Sequence, residues 1–357
     1  MPAMEPHFIC KNIEISMICS EKKVGIEAIS YSLGKIEITN EQLQFEHPTW
    51  DMDKTLERTG VKSRPKAMPN ETSLDLGYEA ALKVLDKLMI GPEQIDALIF
   101  CTQTPDYLLP PNSSLLHGLL DMPISVMAFD ISHACSGFIY SLGIARSLVI
   151  SEAANRVLVV TSDTYSRLIH PADRSILPLF GDGAAATVVS ALSPIIEILD
   201  MEFFTSGKHF SRFIIKNGGS RISEKNHNYD VEIDKAGRVD SPHHIYMDGI
   251  GILSFFNGAV PSAIFKILEK NRKSIHEIDL FVFHQASRLA LDGLVRSLKI
   301  PAEKAVIDMA TTGNLVSSSI PVLLEKMLSN GVVKRGQLVV LCGFGVGFSW
   351  GTALVQF

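Results

Sequence analysis

The sequence predicts a layered α/β fold made of two similar halves. Two observations support this prediction. Apolar, β-branched segments alternate along the chain with segments of helical period, and segments of the first half recur in the second half in the same order. Together they predict an αβαβα arrangement with pseudo-twofold duplication, in which the halves comprise residues 1–195 and 196–357.

The individual elements follow from the local patterns. Short runs rich in Val, Ile and Phe predict strands at 24–31, 96–101, 124–129, 157–162, 184–191, 278–284, 337–342 and 351–357. Amphipathic patterns predict helices at 72–89, 114–120, 136–150, 258–271, 287–298 and 316–329. Residues 205–245 are polar and rich in glycine, which is typical of a long loop or hairpin.

Three pairs of segments carry the internal repeat. GPEQIDALIFCTQTP (91–105) resembles SIHEIDLFVFHQASR (274–288), ANRVLVVTSD (154–163) resembles KRGQLVVLCGF (334–344), and FDISHACSGFIYSL (129–142) lies where IDMATTGNLVSSSIPVLL (307–324) lies in the second half. A period of about 180 residues is too long for a solenoid and indicates two α/β halves. Chance similarity between apolar strands is the alternative explanation.

The repeat predicts where chemically active side chains meet. Cys135 and Asn314 lie at corresponding strand-to-helix turns, and His284 ends the strand that corresponds to the one ending in Cys101. Sites in such folds collect at the carboxyl ends of strands. Cys135, His284 and Asn314 are therefore expected to converge.

Each of these residues also has an ordinary structural explanation. Cys135 is a candidate nucleophile, because the start of a helix would favour its thiolate, but on these local features alone a buried packing cysteine is the favoured explanation. His284 also fits a hydrogen-bonded core histidine, and Asn314 fits a helix N-cap. The glycine-rich tail at 341–357 either directs backbone N–H groups at an oxyanion or forms an ordinary hairpin.

Composition argues against several classes of protein. The chain has 357 residues, a net charge of −6 and no Lys/Arg run, so nothing indicates nucleic-acid binding. No apolar run reaches about 18 residues, so no membrane span is expected, and the first residues do not predict a signal peptide. Five cysteines without CxxC spacing argue against a disulfide framework and a metal site, and predict a cytoplasmic protein.

From about residue 24 to its end, the sequence resembles the β-ketoacyl-acyl carrier protein synthase III group of the thiolase superfamily. The motifs that carry the resemblance are RTGVKSR (58–64), HACSGFIYSL (133–142), DR with LFGDGAAATVV (173–189), HQAS (284–287), GN with SSS (313–319) and FGVGFSWGTALVQF (344–357). The resemblance implies a thiolase-like fold, a homodimer, and an acyltransferase of fatty-acid, related lipid or polyketide synthesis. It implies no resident cofactor, with coenzyme A or phosphopantetheine thioesters as substrates.

The resemblance also implies roles for the converging residues. Cys135 would accept an acyl group from a thioester, and His284 and Asn314 would stabilise the enolate that forms when a malonyl thioester loses carbon dioxide. The backbone N–H groups of Cys135 and Val346 would form the oxyanion hole. Phe344 would line the site beside the cysteine.

Four further positions match the family's substrate-binding regions. Arg58 and Arg174 are candidates for contact with the nucleotide and phosphates, and Gly249 lies in the segment 247–253 that meets the pantetheine. Leu109 lies in the loop 103–112, which reaches the acyl pocket of the partner subunit in this family. Because an aromatic residue is common there, Leu109 predicts a roomier or differently shaped pocket for a longer or branched acyl group.

Three departures from the family pattern concern the donor. Lys54 stands where a tryptophan usually stacks on adenine, with Trp50 one turn earlier, and Ile250 replaces an asparagine. After HQA the arginine is displaced by one position, to Arg288. The donor is then either a differently held coenzyme A thioester or an acyl carrier protein. Arg288 and Arg296 could contact that carrier, or lie on a solvated helix face.

Three other functions are alternatives to decarboxylative condensation. A papain-like protease shares the order Cys, His, Asn, but the tryptophan-containing signature is missing around Cys135. An acyltransferase with an oxygen or nitrogen acceptor needs Cys135 and His284 but not Asn314. A non-catalytic partner of an active enzyme usually lacks the nucleophile. The presence of Asn314 favours decarboxylative condensation.

Overall fold

A computed structural model describes residues 22–222 and 231–357 of the chain. The strands are β1 (Gly25–Leu33), β2 (Ile36–Thr39), β3 (Ser63–Lys66), β4 (Ala97–Cys101), β5 (Met127–Ile131), β6 (Arg156–Asp163), β7 (Gly183–Ser190), β8 (Ile196–Thr205), β9 (Phe213–Ile214), β10 (Glu232–Ile233), β11 (Val239–Asp240), β12 (Tyr246–Met247), β13 (Leu280–Phe283), β14 (Leu338–Gly345) and β15 (Ser349–Gln356). The helices are α1 (Asn40–Glu46), α2 (Met52–Thr59), α3 (Ser73–Leu88), α4 (Asn112–Leu119), α5 (Gly137–Ile150), α6 (Gly249–Lys270), α7 (Arg288–Leu298) and α8 (Ser319–Ser329).

The main sheet shows the predicted duplication in its strand order. Its nine strands run β13-β14-β15-β8-β1-β7-β6-β4-β5, and the halves join where β1 pairs with β8 at Gly25 and Ile26. Counted outward from this join, the order is β1, β7, β6 in the first half and β8, β15, β14 in the second half. In each half these are the first, the last and the second-last strand along the chain. Beyond β13, an isolated bridge between Phe281 and Ala305 stands where β5 lies in the first half. The boundary between residues 195 and 196 stays a prediction.

Two helices form the middle of five layers. The apolar side chains of α5 and α8 pack in one core with side chains from strands of both halves. The helices contribute Phe138, Leu142, Ile320 and Leu323, and the strands contribute Ile99, Val159, Val339 and Val355. Helix α3 covers the outer face of the first half, and α6 and α7 cover that of the second half. The predicted αβαβα arrangement is therefore confirmed.

The duplication extends to single hydrogen bonds. A carboxylate oxygen of Asp96 accepts from the backbone N–H of Asn155 and Arg156, at 2.7 and 3.1 Å, where β6 begins. A carboxylate oxygen of Asp279 accepts from the Leu338 N–H at 2.8 Å, where β14 begins. Because the same contact starts the equivalent strand in each half, chance similarity does not explain the repeat.

Some predicted bounds differ from the structure. The strand expected at 124–129 is β5, at 127–131, and the helix expected from 258 begins at Gly249. This early start has a local cause, because Asp248 caps the helix by accepting from the Gly251 N–H at 3.0 Å. The predicted loop region 205–245 contains the short strands β9, β10 and β11, and residues 223–230 of it lie outside the described part.

The sequence did not predict strand β8. Acidic residues interrupt its apolar pattern, and they are paired with lysines elsewhere in the fold. Asp200 and Glu202 lie 2.9 and 3.0 Å from Lys270, and Glu197 lies 2.8 Å from Lys23. These ion pairs are not local in sequence, so a strand assignment from a local pattern misses them.

Within the described residues, α6 alone is long and apolar enough to cross a membrane by length and composition. Its residues Phe256, Val260, Ile264 and Ile267 are buried in the core of the second half. The apolar character of α6 is therefore accounted for by packing between this helix and the sheet.

Candidate active site

A single cavity of about 700 Å³ brings the three converging residues together. Cys135, His284 and Asn314 line it, although they come from three different turns and from both halves. The other predicted site residues that line the same cavity are Arg58, Arg174, Gly249, Phe344 and Val346. The predicted residues outside it are Leu109, Arg288 and Arg296, which are exposed.

Cys135 lies in the turn between β5 and α5. The helix starts at Gly137 with Ser136 at its N-cap, so the thiol directly precedes the cap. The start of α5 can lie this close to β4 because Gly137 has no side chain. A Cβ atom at Gly137 would collide with the sulfur of Cys101. Cys135 is partly exposed to the cavity, whereas Cys101 beneath it is fully buried.

The hairpin between β14 and β15 lies directly against this turn. A Cβ atom at Gly345 would be 2.8 Å from the Cys135 Cβ and 3.1 Å from its sulfur, and one at Gly343 would be 2.9 Å from the Cys135 carbonyl oxygen. The Ser349 hydroxyl lies 2.7 Å from that of Ser136 and donates to the Val346 carbonyl at 2.9 Å. These bonds fix the hairpin against the nucleophile.

Two backbone donors next to the sulfur are unused. Neither the Cys135 N–H nor the Val346 N–H donates to an acceptor among the described residues, and Val346 lies in the glycine-rich turn. Free N–H groups in a water-poor cavity can stabilise a developing oxyanion. The hairpin and the oxyanion-hole interpretations of the tail are thus compatible.

The protonation state of Cys135 differs from the expectation. Burial raises the pKa of its thiol, the nearby carboxylate of Asp163 raises it further, and the backbone N–H of Cys135 lowers it by less. Burial therefore opposes the thiolate that the start of the helix would favour. Desolvation of the charged form outweighs the favourable end of the helix dipole.

His284 directly follows β13 and is neutral. Burial lowers the pKa of its imidazole to about 3, and a contact with the Val316 backbone opposes this by less. Its backbone N–H donates to the Cys342 carbonyl at 2.8 Å, and its ring meets that of Phe344 edge-on at 5.6 Å. Its Nδ1 is buried without a hydrogen-bond partner among the described residues. A neutral imidazole can donate one N–H to a ligand.

Asn314 is held by its backbone and by its side-chain oxygen. Its N–H donates to Leu179 at 2.9 Å, and its carbonyl accepts from Gly181 at 3.0 Å. The side-chain oxygen accepts from the Val316 N–H at 2.9 Å, and the amide nitrogen makes one long contact, 3.4 Å, with the Ala286 carbonyl. One amide hydrogen therefore remains free to donate.

The backbone around Asn314 is strained. Val316 has a φ of 53°, which is rare for a β-branched residue, yet this conformation directs its N–H at Asn314. The N-cap of α8 is Ser318, so Asn314 is not a helix cap. The ordinary structural explanation of Asn314 does not apply.

The sequence did not single out Asp163, which is fully buried at the end of β6. Its carboxylate accepts from the Gln103 N–H at 2.8 Å and from the Ser317 hydroxyl at 2.7 Å, and burial raises its pKa to about 7. It thus connects the strand ends of the first half to the turn that carries Asn314. The available signal was a polar residue at a strand end, which is too common to be specific.

The cavity has a polar mouth and an apolar interior. Lys54 and Arg58 on α2 line its exposed mouth, and Arg174, which also lines the cavity, donates to the backbone carbonyls of Ala236 and Lys235 at 3.2 and 3.4 Å. The interior wall consists of buried or partly buried apolar residues that the sequence did not identify: Tyr165, Leu179, Phe180, Phe213, Met247, Phe256 and Phe348. Trp50 is buried and stacks on His47 at 3.9 Å, outside the cavity, so it does not replace an adenine-stacking tryptophan.

Two family models match the chain. The one described as 3-oxoacyl-[acyl-carrier-protein] synthase III covers residues 129–207, and the one for the C-terminal part of that enzyme covers residues 268–357. The β-ketoacyl-[acyl-carrier-protein] synthase III of Campylobacter fetus subsp. fetus is 36% identical over 340 residues, which cover 94% of this chain and 99% of that one. The chain belongs to the β-ketoacyl-[acyl-carrier-protein] synthase III family.

Further relatives agree. The synthase III of Clostridium perfringens is 33% identical over 319 residues, covering 89% of this chain and 94% of that one. A crystal structure of a 3-oxoacyl-(acyl-carrier-protein) synthase III has a TM-score of 0.90 and 39% identity, and that from Aquifex aeolicus VF5 has 0.81 and 31%. The matches to these two crystal structures each cover 94% of this chain and 100% of the other chain. The predictions of a thiolase-like fold and of an acyltransferase of the condensing type are confirmed.

Replacing Gly345 tests the close approach of the hairpin to Cys135. We expect Gly345→Ala to push Cys135 and the hairpin apart, because the new Cβ would lie 2.8 Å from the Cys135 Cβ. Turnover should fall at least about tenfold while the thermal midpoint falls by only a few degrees. Gly258→Ala on α6 is the control, because its Cβ would meet no atom within 4 Å. Equal activity of the two variants would contradict the geometry.

His284 should make stability depend on acid. The pKa of His284 is about 3 in the folded protein and about 6.5 in the unfolded chain. Its contribution to the free energy of unfolding is therefore complete above pH 6.5, and it is lost as the pH falls towards 3, because the unfolded chain then binds the proton more readily. Relative to His284→Asn, the wild-type protein should lose about 2 kcal/mol of unfolding free energy between pH 7 and pH 5. Urea unfolding at both pH values measures this. Identical pH dependence in the two proteins would argue for a charged His284.

Proposed function

We propose that Cys135 carries the acyl group of a decarboxylative condensation. The observation that supports this most directly is the shared cavity, in which a thiol, a neutral imidazole and a free carboxamide N–H lie together. In the first step the Cys135 sulfur attacks the carbonyl carbon of a starter thioester. The donor leaves as its thiol and takes up the proton that Cys135 gives up, so no charge remains.

The second step would use the other half of the site. A malonyl thioester enters, loses carbon dioxide, and leaves an enolate whose negative charge lies on the thioester oxygen. His284 and Asn314 each offer one N–H to that oxygen, and neutral donors suffice because the charge is transient. The enolate carbon then attacks the acyl carbon on Cys135 and yields a β-ketoacyl thioester. The Cys135 sulfur is expelled as a thiolate and takes up one proton from water, which restores the thiol.

The tetrahedral intermediates of both steps need separate donors. The backbone N–H groups of Cys135 and Val346 donate to no other residue in the described part of the chain, and both residues line the cavity beside Gly345, which approaches the sulfur. We assign the oxyanion hole to this pair. Asn314 has no task in acyl transfer to an oxygen or nitrogen acceptor, so its held orientation favours condensation over that alternative.

The mouth of the cavity suits a phosphorylated donor. Lys54, Arg58 and Arg174 supply positive charge there, and Gly249 and Ile250 at the start of α6 leave an accessible apolar rim for a pantetheine arm. We propose that coenzyme A or acyl carrier protein thioesters enter here as substrates. No group of three or more side chains suited to metal binding occurs in the described residues, and the chemistry above needs none.

A twofold dimer would complete the subunit. Strand β5 is an open edge of the main sheet, with Met127 45% exposed, and the middle-layer helix α5 presents Ile144 to solvent. An unpaired edge beside exposed apolar residues is a surface that a second copy can cover. Leu109 is 82% exposed on its own subunit, as a residue of a loop that reaches the partner's acyl pocket would be.

We place the protein in the cytoplasm. The cysteines of the described residues are all free, which fits a reducing compartment.

Mass spectrometry tests the acyl carrier directly. Incubation with acetyl, octanoyl and branched-chain thioesters should add one acyl mass to the wild-type protein and none to Cys135→Ala. Preferential acetylation would contradict the roomier pocket predicted from Leu109. His284→Ala and Asn314→Ala should still be acylated.

Carbon dioxide release tests condensation. With malonyl carrier protein, His284→Ala and Asn314→Ala should each lose about 10²–10³-fold in release, because each removes one donor to the enolate oxygen. Release of labelled carbon dioxide measures this. Wild-type release by Asn314→Ala would contradict the role of Asn314, and acylation of wild-type Cys135 without any release would make the enzyme a simple acyltransferase instead.

Charge reversal tests the carrier contact. Arg288 and Arg296 are exposed on α7, whose first turn lines the mouth. Arg288→Glu should raise the KM for malonyl carrier protein about fivefold or more, with the effect shrinking at high salt, and leave kcat unchanged. Arg335→Glu is the control, because this residue precedes β14 at the end of the sheet opposite the cavity. Equal KM values for both variants would place the carrier elsewhere.

A further inference from the structure

We propose that Tyr165, fixed by Gln103, forms the inner wall that limits the length of the acyl group on Cys135. This inference rests on the proposed role of Cys135 as acyl carrier. It concerns a side chain that no pattern in the sequence singles out.

Tyr165 lies in the buried part of the cavity wall. It follows β6 in a short 3-10 turn, is 1% exposed and lines the same cavity as Cys135. Its ring packs against Phe180 and Phe213, with centroids 5.3 and 6.4 Å away. Lys54 and Arg58, which line the same cavity, are exposed and mark its open side.

Condensation determines which end holds the acyl chain. The second thioester must enter through the mouth while Cys135 is already acylated, because the two carbon atoms that bond must both be near the sulfur. The acyl chain therefore extends away from the mouth, into the apolar interior. Tyr165 is a large side chain in that interior, so its ring reduces the space open to the chain.

The tyrosine ring is fixed by a chain of hydrogen bonds. Its hydroxyl donates to the side-chain oxygen of Gln103 at 2.5 Å, and the Gln103 N–H donates to the buried Asp163 at 2.8 Å. Rotation of the ring would break the first bond and leave a buried hydroxyl without a partner, which costs about 1–3 kcal/mol. Tyr165 is thus a fixed wall, and it does not swing aside for a longer chain.

The size of the effect follows from hydrophobic discrimination. One methylene more or less in an apolar pocket changes the specificity by about 10–200-fold. Tyr165→Leu removes most of the ring and makes room for several methylenes. We expect the ratio of octanoylation to acetylation at Cys135 to rise at least about tenfold in Tyr165→Leu, and to stay near the wild-type value in Tyr165→Phe, which keeps the ring.

The experiment is a competition between thioesters. Wild type and variants receive equimolar acetyl, hexanoyl and octanoyl coenzyme A, and intact-protein mass spectrometry reads the acyl masses at early times. Phe100→Leu is the matched control, because Phe100 is a fully buried aromatic outside the cavity. It carries a similar packing defect and should keep the wild-type ratio. Thermal unfolding verifies that each variant is folded.

Gln103→Ala provides a second route that keeps the ring. Without its acceptor, Tyr165 can rotate, so longer chains should again be admitted, by a smaller factor than in Tyr165→Leu. An unchanged ratio in folded Tyr165→Leu, or, should that variant not fold, in Gln103→Ala, overturns the assignment of Tyr165. A complete lack of acylation of wild-type Cys135 by any donor overturns the proposed function instead.

Discussion

The close approach of the β14–β15 hairpin to the turn that carries Cys135 is the contact on which the rest of the site depends. Gly343 and Gly345 allow it, because any side chain at these positions would meet the Cys135 residue. The hairpin belongs to the second half of the fold and the cysteine to the first. This contact therefore aligns the halves, and it brings His284, bonded to β14 through Cys342, into the cavity with the nucleophile.

Burial at this contact acts on the protonation states of Cys135 and His284. Burial acts on both titratable partners in the direction that removes charge, raising the pKa of the thiol and lowering that of the imidazole. A site of this kind has no permanent ion pair between cysteine and histidine. Its polar groups are instead N–H donors, which suits a reaction whose negative charge exists only in transition states and intermediates.

Site residues could be predicted from the sequence where a local strand or turn pattern coincides with the internal repeat. Cys135, His284 and Asn314 could be found because all three follow strands that recur in both halves. Asp163 and Tyr165 could not, because their importance depends on which strands are neighbours in the sheet. The start of the helix that favours the Cys135 thiolate is visible in the sequence, whereas the burial that raises the thiol pKa is a property of the assembled cavity.

A thiol that stays protonated is also a poor target for peroxides and alkylating reagents, which react with the thiolate. Cys101, directly beneath the active turn, is buried, and its pKa is raised in the same way. Burial around the active turn therefore opposes formation of the reactive thiolate of Cys135 in the free enzyme. A bound thioester offers both an electrophilic carbon and a place for the departing proton, so attack by Cys135 does not require a standing thiolate.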